Sequence, residues 1–251
     1  MAYELTEHAL DELKNKKVEQ SIIDLLEKLL NQDFDKKDDF INAVKECIGE
    51  SKAGQYQKDI LKVAGNSYAV LRNKSARQAL IKWWLDLEEI KLPNGKTKSN
   101  RGERAKLRRC EKPEDILMQS YFYDLHQKLP YITDTLALAC VAGLLAHIKK
   151  PSDLSFPKQL GQQKEHSGKA VFSELRFQQL LASRDIDELY ENLRRAIMQL
   201  NRTAHILSLA DGVLHWSQEQ RDKNQFDERP EQRFKFAWAK AYFNEVLTYS
   251  K

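Results

Sequence analysis

TLALACVAGLLAHI, Thr135–Ile148, is the longest apolar run of the chain and contains no Asp, Glu, Lys or Arg. As a helix it would span about 20 Å, well short of the roughly 30 Å hydrocarbon layer of a membrane. The run therefore reads as a buried helix, capped at its start by Thr133 or Asp134. The remainder of the chain has to cover it.

Composition says what does the covering. Leu, Ala, Lys, Glu and Gln are abundant, while 251 residues hold only nine Gly and six Pro, which favours helices with short connections over sheets. An apolar share of 41% is enough for a packed core. We read the fold as all-α, a helical bundle with an N-terminal helical extension, and find no internal repeat and no convincing strand.

Upstream of the run, Ile22, Ile23, Leu25, Leu26, Leu29 and Leu30 mark one face of a helix that starts near Val18. Phe40, Ile41, Val44 and Ile48 mark a second, and a third is expected from Gln55 to Leu71, with Gly49 and Gly54 as punctuation. Ser75 followed by Gln78 is a capping-box start for a helix bearing Leu80, Trp83, Trp84 and Leu87, which ends before the turn signal Pro93, Asn94, Gly95. Gly102–Cys110 and the segment from Pro113 to the break at Pro130 form the next helices.

Downstream, residues 149–169 lose periodicity and gain Pro151, Pro157, Gly161 and Gly168, the signature of a long loop. Ser173 starts a further helix. Asp185 or Asp187 starts one carrying Leu189, Leu193, Ile197, Leu200, Ala204 and Leu207 that extends toward Trp216, and a last helix bears Phe234, Trp238, Tyr242 and Val246. Residues 1–75 thus form a helical extension, read as a docking module, and residues 76–251 the main helical domain.

Charge divides along the same line. Residues 1–75 hold twelve Lys/Arg against fourteen Asp/Glu, whereas residues 76–251 hold 29 against 23, so the net +4 belongs to the later part. It concentrates in RGERAKLRR, Arg101–Arg109, within a stretch from Lys91 to Lys112 that has nine cations and two acids, Glu103 and Glu111. Like charges this dense lower helix stability and point to an anionic partner or a very exposed face. Arg101, Arg104 and Arg108 share one helix face by spacing, with Lys106 and Arg109 beside them. Arg194, Arg195 and Arg202 form a second basic flank, opposite Leu193, Ile197 and Leu200. These eight are the candidate nucleic-acid-binding residues, each with a competing structural role: pairing with Glu103, Glu111 or Glu191, or simple solvation. Lys149, Lys150, Lys158, Lys164 and Lys169 in or beside the long loop are weaker candidates, as are Arg176 and Arg184. The four tryptophans read as core.

Other chemistry has little support. Cys47, Cys110 and Cys140 are odd in number, widely spaced and without a Cys-x-x-Cys pair, against both a disulfide framework and a zinc ribbon. His205, Asp211 and His215 lack metal-ligand spacing, and no Gly-rich phosphate loop, Gly-x-Ser-x-Gly or His-Glu-x-x-His occurs. No catalytic residue, metal or cofactor is expected. The first residues, MAYELTE, are acidic and lack an apolar core, so the expectation is a cytoplasmic protein without a signal peptide.

With these segments placed, residues 76–249 resemble the small subunit of the type I-E CRISPR Cascade surveillance complex, the CasB family. The matching pieces occur in family order: the tryptophan-bearing helix and GERAKLRR (Gly102–Arg109); SELRFQQLL (Ser173–Leu181) after a glycine-containing loop; DELYENLRRAI (Asp187–Ile197); Asp211–Trp216; and WAKAYF (Trp238–Phe243). Residues 1–75 depart from that pattern. The resemblance implies an all-helical, non-enzymatic subunit of an antiviral RNA-guided complex, usually present in two copies. Its partners would be the crRNA and target DNA, the displaced single-stranded DNA of the R-loop, other Cascade subunits and a second copy of itself, with no membrane. In such assemblies base pairing supplies sequence specificity while protein reads backbone charge and shape. The competing reading is a helical protein–protein adaptor that binds no nucleic acid, and a more distant one a helical nuclease.

Overall fold

The computed structural model describes residues 5, 9–10, 13–14, 16–30, 32, 34, 37–63, 68–91, 97–165, 167–221 and 233–250. The chain falls into two units, residues 1–74 and 75–251, each with its own interior. Both are dominated by helix.

In the first unit, α1 (Gln20–Leu26) runs into a 3-10 turn at Glu27–Leu29, followed by α2 (Lys37–Ile48) and α3 (Glu50–Val63). Ile22, Ile23, Leu26, Leu29, Phe40, Val44, Ile48, Ala53 and Ile60 enclose its core, as the apolar stripes required. Gly49 sits at φ 80° and turns α2 sharply into α3, a backbone state that glycine alone adopts without a Cβ penalty. The third helix consequently begins at Glu50, five residues before the expected Gln55, and Leu71 lies outside any helix. Lys52 and Tyr56 of α3 both donate to Glu19, at 2.8 and 3.4 Å, tying α3 to the residue that precedes α1.

The second unit is built around the apolar run. Its elements are α4 (Lys74–Asp86), β1 (Glu89–Lys91), β2 (Thr97–Ser99), α5 (Arg101–Arg109), α6 (Pro113–Ile116), α7 (Ser120–Lys128), α8 (Thr135–His147), β3 (Lys150–Pro151), α9 (Phe156–Gly161), α10 (Glu174–Leu181), α11 (Ile186–Gln199), β4 (Thr203–Ala204), α12 (Ile206–Arg221) and α13 (Phe234–Val246). Helix α8 is apolar on every side and has α5, α6, α7, α11 and α12 around it, with all residues from Ala137 to His147 buried. Asp134 caps it by accepting from the Ala137 amide at 2.9 Å. Gly143 permits the closest approach: a Cβ there would overlap Ile116 of α6 and lie 2.7 Å from the Tyr190 hydroxyl of α11. The four tryptophans, Trp83, Trp84, Trp216 and Trp238, are all buried.

Several expectations need correction. Strands β1 and β2 pair antiparallel, Glu89 opposite Ser99, where no strand was foreseen; the turn signal between them, at residues 93–95, lies outside the described residues. Strand residues so few carry too little periodicity to be seen in sequence. The expected loop over 149–169 contains α9, whose Gly161 packs against the Tyr242 carbonyl of α13. The segment from Pro113 divides into α6 and α7 around Leu117–Gln119.

The expected helix from Asp185 or Asp187 toward Trp216 is two helices, α11, capped by Asp185, and α12. Asn201 and Arg202 both adopt positive φ, 52° and 61°, and end α11. The Arg202 amide bonds the Ile197 carbonyl at 2.9 Å and the Asn201 amide the Met198 carbonyl at 3.1 Å, the double bond of a Schellman cap with asparagine in the left-handed position. Apolar spacing continues across the break, which is why the stripe concealed it.

Candidate nucleic-acid interface

Helix α5 decides how the basic residues divide. Its inward side carries Leu107, fully buried, and Arg104, whose side chain is only 7% exposed. Spacing puts Arg101, Arg104 and Arg108 along one side, but Arg104 faces α8 rather than solvent. The Arg104 Nε donates to the Ala146 carbonyl at 2.8 Å, one Nη donates to the Ile148 carbonyl, and the other pairs with Glu88. These carbonyls lie at the end of α8, where no further turn of helix can satisfy them. Arg104 is thus a structural cation and drops out of the solvent strip.

The remaining candidates separate by partner. Arg101 is 78% exposed and lies 3.4 Å from Glu88. Lys106 pairs with Glu103 at 2.8 Å and Arg195 pairs with Glu191, both on exposed helix surface. Arg184 pairs with Glu188 at 3.3 Å. Arg108, Arg109, Arg194 and Arg202 have no carboxylate partner among the described residues. Arg109 is exposed and the other three are half-buried.

Those three converge. Arg194 lies over the Tyr190 ring, 5.6 Å from its centroid. Burial, followed by the charge of Arg202, lowers the proton affinity of Arg108, so the two guanidiniums feel each other. All of them act on His147, the last residue of α8 and 7% exposed. Burial, then Arg194, Arg108, Arg202 and Arg104 in that order, push the His147 imidazole down to about 4. Three elements therefore bring positive charge to one end of α8: α5, α11 and the turn after α11.

Two polar atoms in this group are orphaned. The Arg108 Nε and the His147 Nε2 are both buried and have no hydrogen-bond partner among the described residues. An unpaired buried polar group typically costs about 1–3 kcal/mol.

The Schellman turn adds two of the loop lysines. The Arg202 carbonyl accepts from the Lys149 and Lys150 amides at 2.8 and 3.3 Å, and Lys150 then pairs with Thr203 in the parallel β3–β4 contact. Exposed Lys149 and Lys150 are thereby fixed next to Arg202. Lys164 and Lys169 are exposed elsewhere, around their own backbone bond of 2.8 Å, and Lys158 lies on α9. Arg176 is exposed on α10.

Sequence reasoning missed His147 and Tyr190. The available signal was a histidine closing an otherwise apolar run, a polar ring forced inside by its neighbours. Among the described residues no group of three or more His, Cys, Asp or Glu is placed to hold a metal. His215 pairs with Glu219 at 3.1 Å, and the His205 Nδ1 accepts from the Ser208 amide at 3.1 Å, so both histidines have structural partners. No helix in the described residues is long and apolar enough to cross a membrane.

Comparison with known proteins gives one finding. A sequence model of the family described as CRISPR-associated protein Cse2 matches residues 103–243, from within α5 to within α13. No curated protein and no solved structure matches the chain.

Proposed function

The chain belongs to the CRISPR-associated protein Cse2 family, the small subunits of type I-E Cascade, and on that premise we propose that its basic end binds the sugar–phosphate backbone of guide–target heteroduplex and displaced single-stranded DNA, stabilising the R-loop. The observation that carries this reading is the collection of cations without carboxylate partners at one end of α8: Arg108, Arg194 and Arg202, with Lys149, Lys150 and Arg109 nearby. Cations so placed neutralise phosphates and release counterions, which gives affinity without base readout. Lys106, Arg101 and Arg195 flank this group from exposed positions, where a strand phosphate competes with their carboxylate partners.

As a member of a family of structural subunits, the chain is assigned no catalytic role, and its partners are the other subunits of the complex together with a second copy of itself. The complex acts in the cytoplasm. Residues 1–74, an acidic unit with a separate core, are assigned to docking on a neighbouring subunit.

The test is Arg108→Ala combined with Arg109→Ala in the assembled complex. The slope of log affinity for target DNA against log salt should fall by about two, with R-loop yield reduced. An unchanged slope and yield would reject the basic-end assignment. Labelled single-stranded DNA titrated onto the full chain at low salt should saturate; absence of a saturable signal favours the adaptor reading. Deletion of residues 1–74 should impair assembly, and intact assembly would reject the docking role.

A further inference from the structure

The orphaned atoms around His147 say more than a general positive charge does. Every charge that acts on this imidazole is cationic: Arg104 and Arg108 from α5, Arg194 from α11 and Arg202 from the turn after α11. Helices α6, α7 and α12 also pack on α8. Among the described residues, Arg104 alone of the four cations has a carboxylate partner, Glu88. His147 is more than nine-tenths buried, and neither its Nε2 nor the buried Arg108 Nε has a hydrogen-bond partner among the described residues. A water molecule would satisfy one atom without offsetting the charge. A tetrahedral oxyanion would do both, because its separate oxygens can accept from diverging donors.

We propose that Arg108, His147, Arg194 and Arg202 form a seat for a single phosphate group, with the His147 Nε2 and the Arg108 Nε as its inner donors. On the nucleic-acid reading above, on which this rests for its source, the occupant is one phosphodiester of the bound strand. The seat differs from the surrounding surface in kind. Exposed lysines and arginines hold a phosphate loosely and at varying positions, whereas a donor fixed at the end of the central helix holds it at one position. One nucleotide of the strand is therefore registered against α8. His147 acts without net charge while the seat is empty and gains proton affinity when an anion arrives, because the anion's field opposes that of the four arginines.

The experiment uses the full chain and follows the histidine ring resonances by NMR, with His147 identified by its loss in His147→Gln. Short single-stranded DNA should move the His147 resonance and raise its titration midpoint above the value near 4 of the free protein. Inorganic phosphate and sulfate at constant ionic strength separate a free anion from a strand phosphate as the source. In anisotropy titrations, His147→Phe, which removes the donor but keeps a ring, should weaken DNA binding roughly tenfold at neutral pH without changing the salt slope. Arg202→Gln should lower both affinity and slope, and His147→Gln, which restores a donor, should recover part of the loss.

If DNA binds with full salt dependence while the His147 resonance and midpoint stay fixed, the seat is refuted and the nucleic-acid reading survives. If DNA does not bind but phosphate shifts His147, the seat stands for a free anion and the nucleic-acid reading fails. Should His147→Phe lower the melting temperature, Arg202→Gln on the surface turn carries the test, and an unchanged His147 midpoint in DNA-bound wild type still refutes the seat.

Discussion

The Arg104 Nε donates to the Ala146 carbonyl at 2.8 Å, so a side chain from α5 closes the carboxyl end of the central helix α8. The same guanidinium bonds Ile148 and pairs with Glu88, which makes one residue the junction of α5, α8 and the segment leading into the hairpin. A cation that reads in sequence as part of a nucleic-acid strip is a helix cap.

Arg104→Ala should therefore destabilise the protein by about 2–4 kcal/mol, since it strands the Ala146 and Ile148 carbonyls at the end of α8. Arg104→Lys should recover only part, because an ammonium cannot reproduce the planar fork of donors. Arg109→Ala, at an exposed position without a partner, should change stability by less than about 0.5 kcal/mol. Urea titration of the three variants checks the order.

The cations around His147 also give stability a pH dependence. Its proton affinity falls from the ordinary 6.5 to about 4 on folding, so between these values the unfolded chain binds more protons than the folded one. Stability from this group is complete above pH 6.5, declines as pH falls through that window, and loses nothing further below about 4. Thermal melts from pH 7.5 to 5 in the absence of anions should fall for wild type and fall less for His147→Gln.

Two glycines with opposite surroundings offer a packing test. Gly143→Ala forces a methyl into Ile116 and Tyr190 and should cost about 1–3 kcal/mol despite alanine's better helix propensity. Gly102→Ala meets nothing within 4 Å on α5 and should stabilise by up to about 1 kcal/mol. Calorimetric melting of both distinguishes crowding from propensity.

Thiol reactivity should divide the three cysteines. Burial pushes the Cys140 thiol well up and the Cys110 thiol up as well, and both side chains are enclosed in the second unit. Cys47 is half-buried. A native titration with an aromatic disulfide reagent should count one fast thiol, with the others appearing only on unfolding.

Much of this was readable because helices carry a long-range signal. The apolar run at Thr135–Ile148 and the stripes of the first unit each repeat a chemical pattern over several turns, and each appears as expected; of the two cap candidates, Thr133 and Asp134, it is Asp134 that caps α8. What stayed hidden was set by few residues or by tertiary neighbours. The two-residue pairing of β3 with β4 has no period, and the break between α11 and α12 rests on the backbone state of Asn201 and Arg202. At the candidate site, spacing identified a face of α5 but not what covers it. Arg104 and Arg108 are one residue type on one helix, and only the position of α8 makes the first a cap and leaves the second unpaired.

The Schellman turn that holds Arg202 has a kinetic meaning. Its amide and carbonyl are bonded within the protein, to Ile197 on one side and to Lys149 and Lys150 on the other. The entropy of ordering this loop is settled when the chain folds, so an arriving anion meets a corner already in shape. Encounter there is governed by diffusion and the attraction of charge. A change that loosens the turn while keeping every cation would shorten the residence of whatever is held without changing how often it arrives.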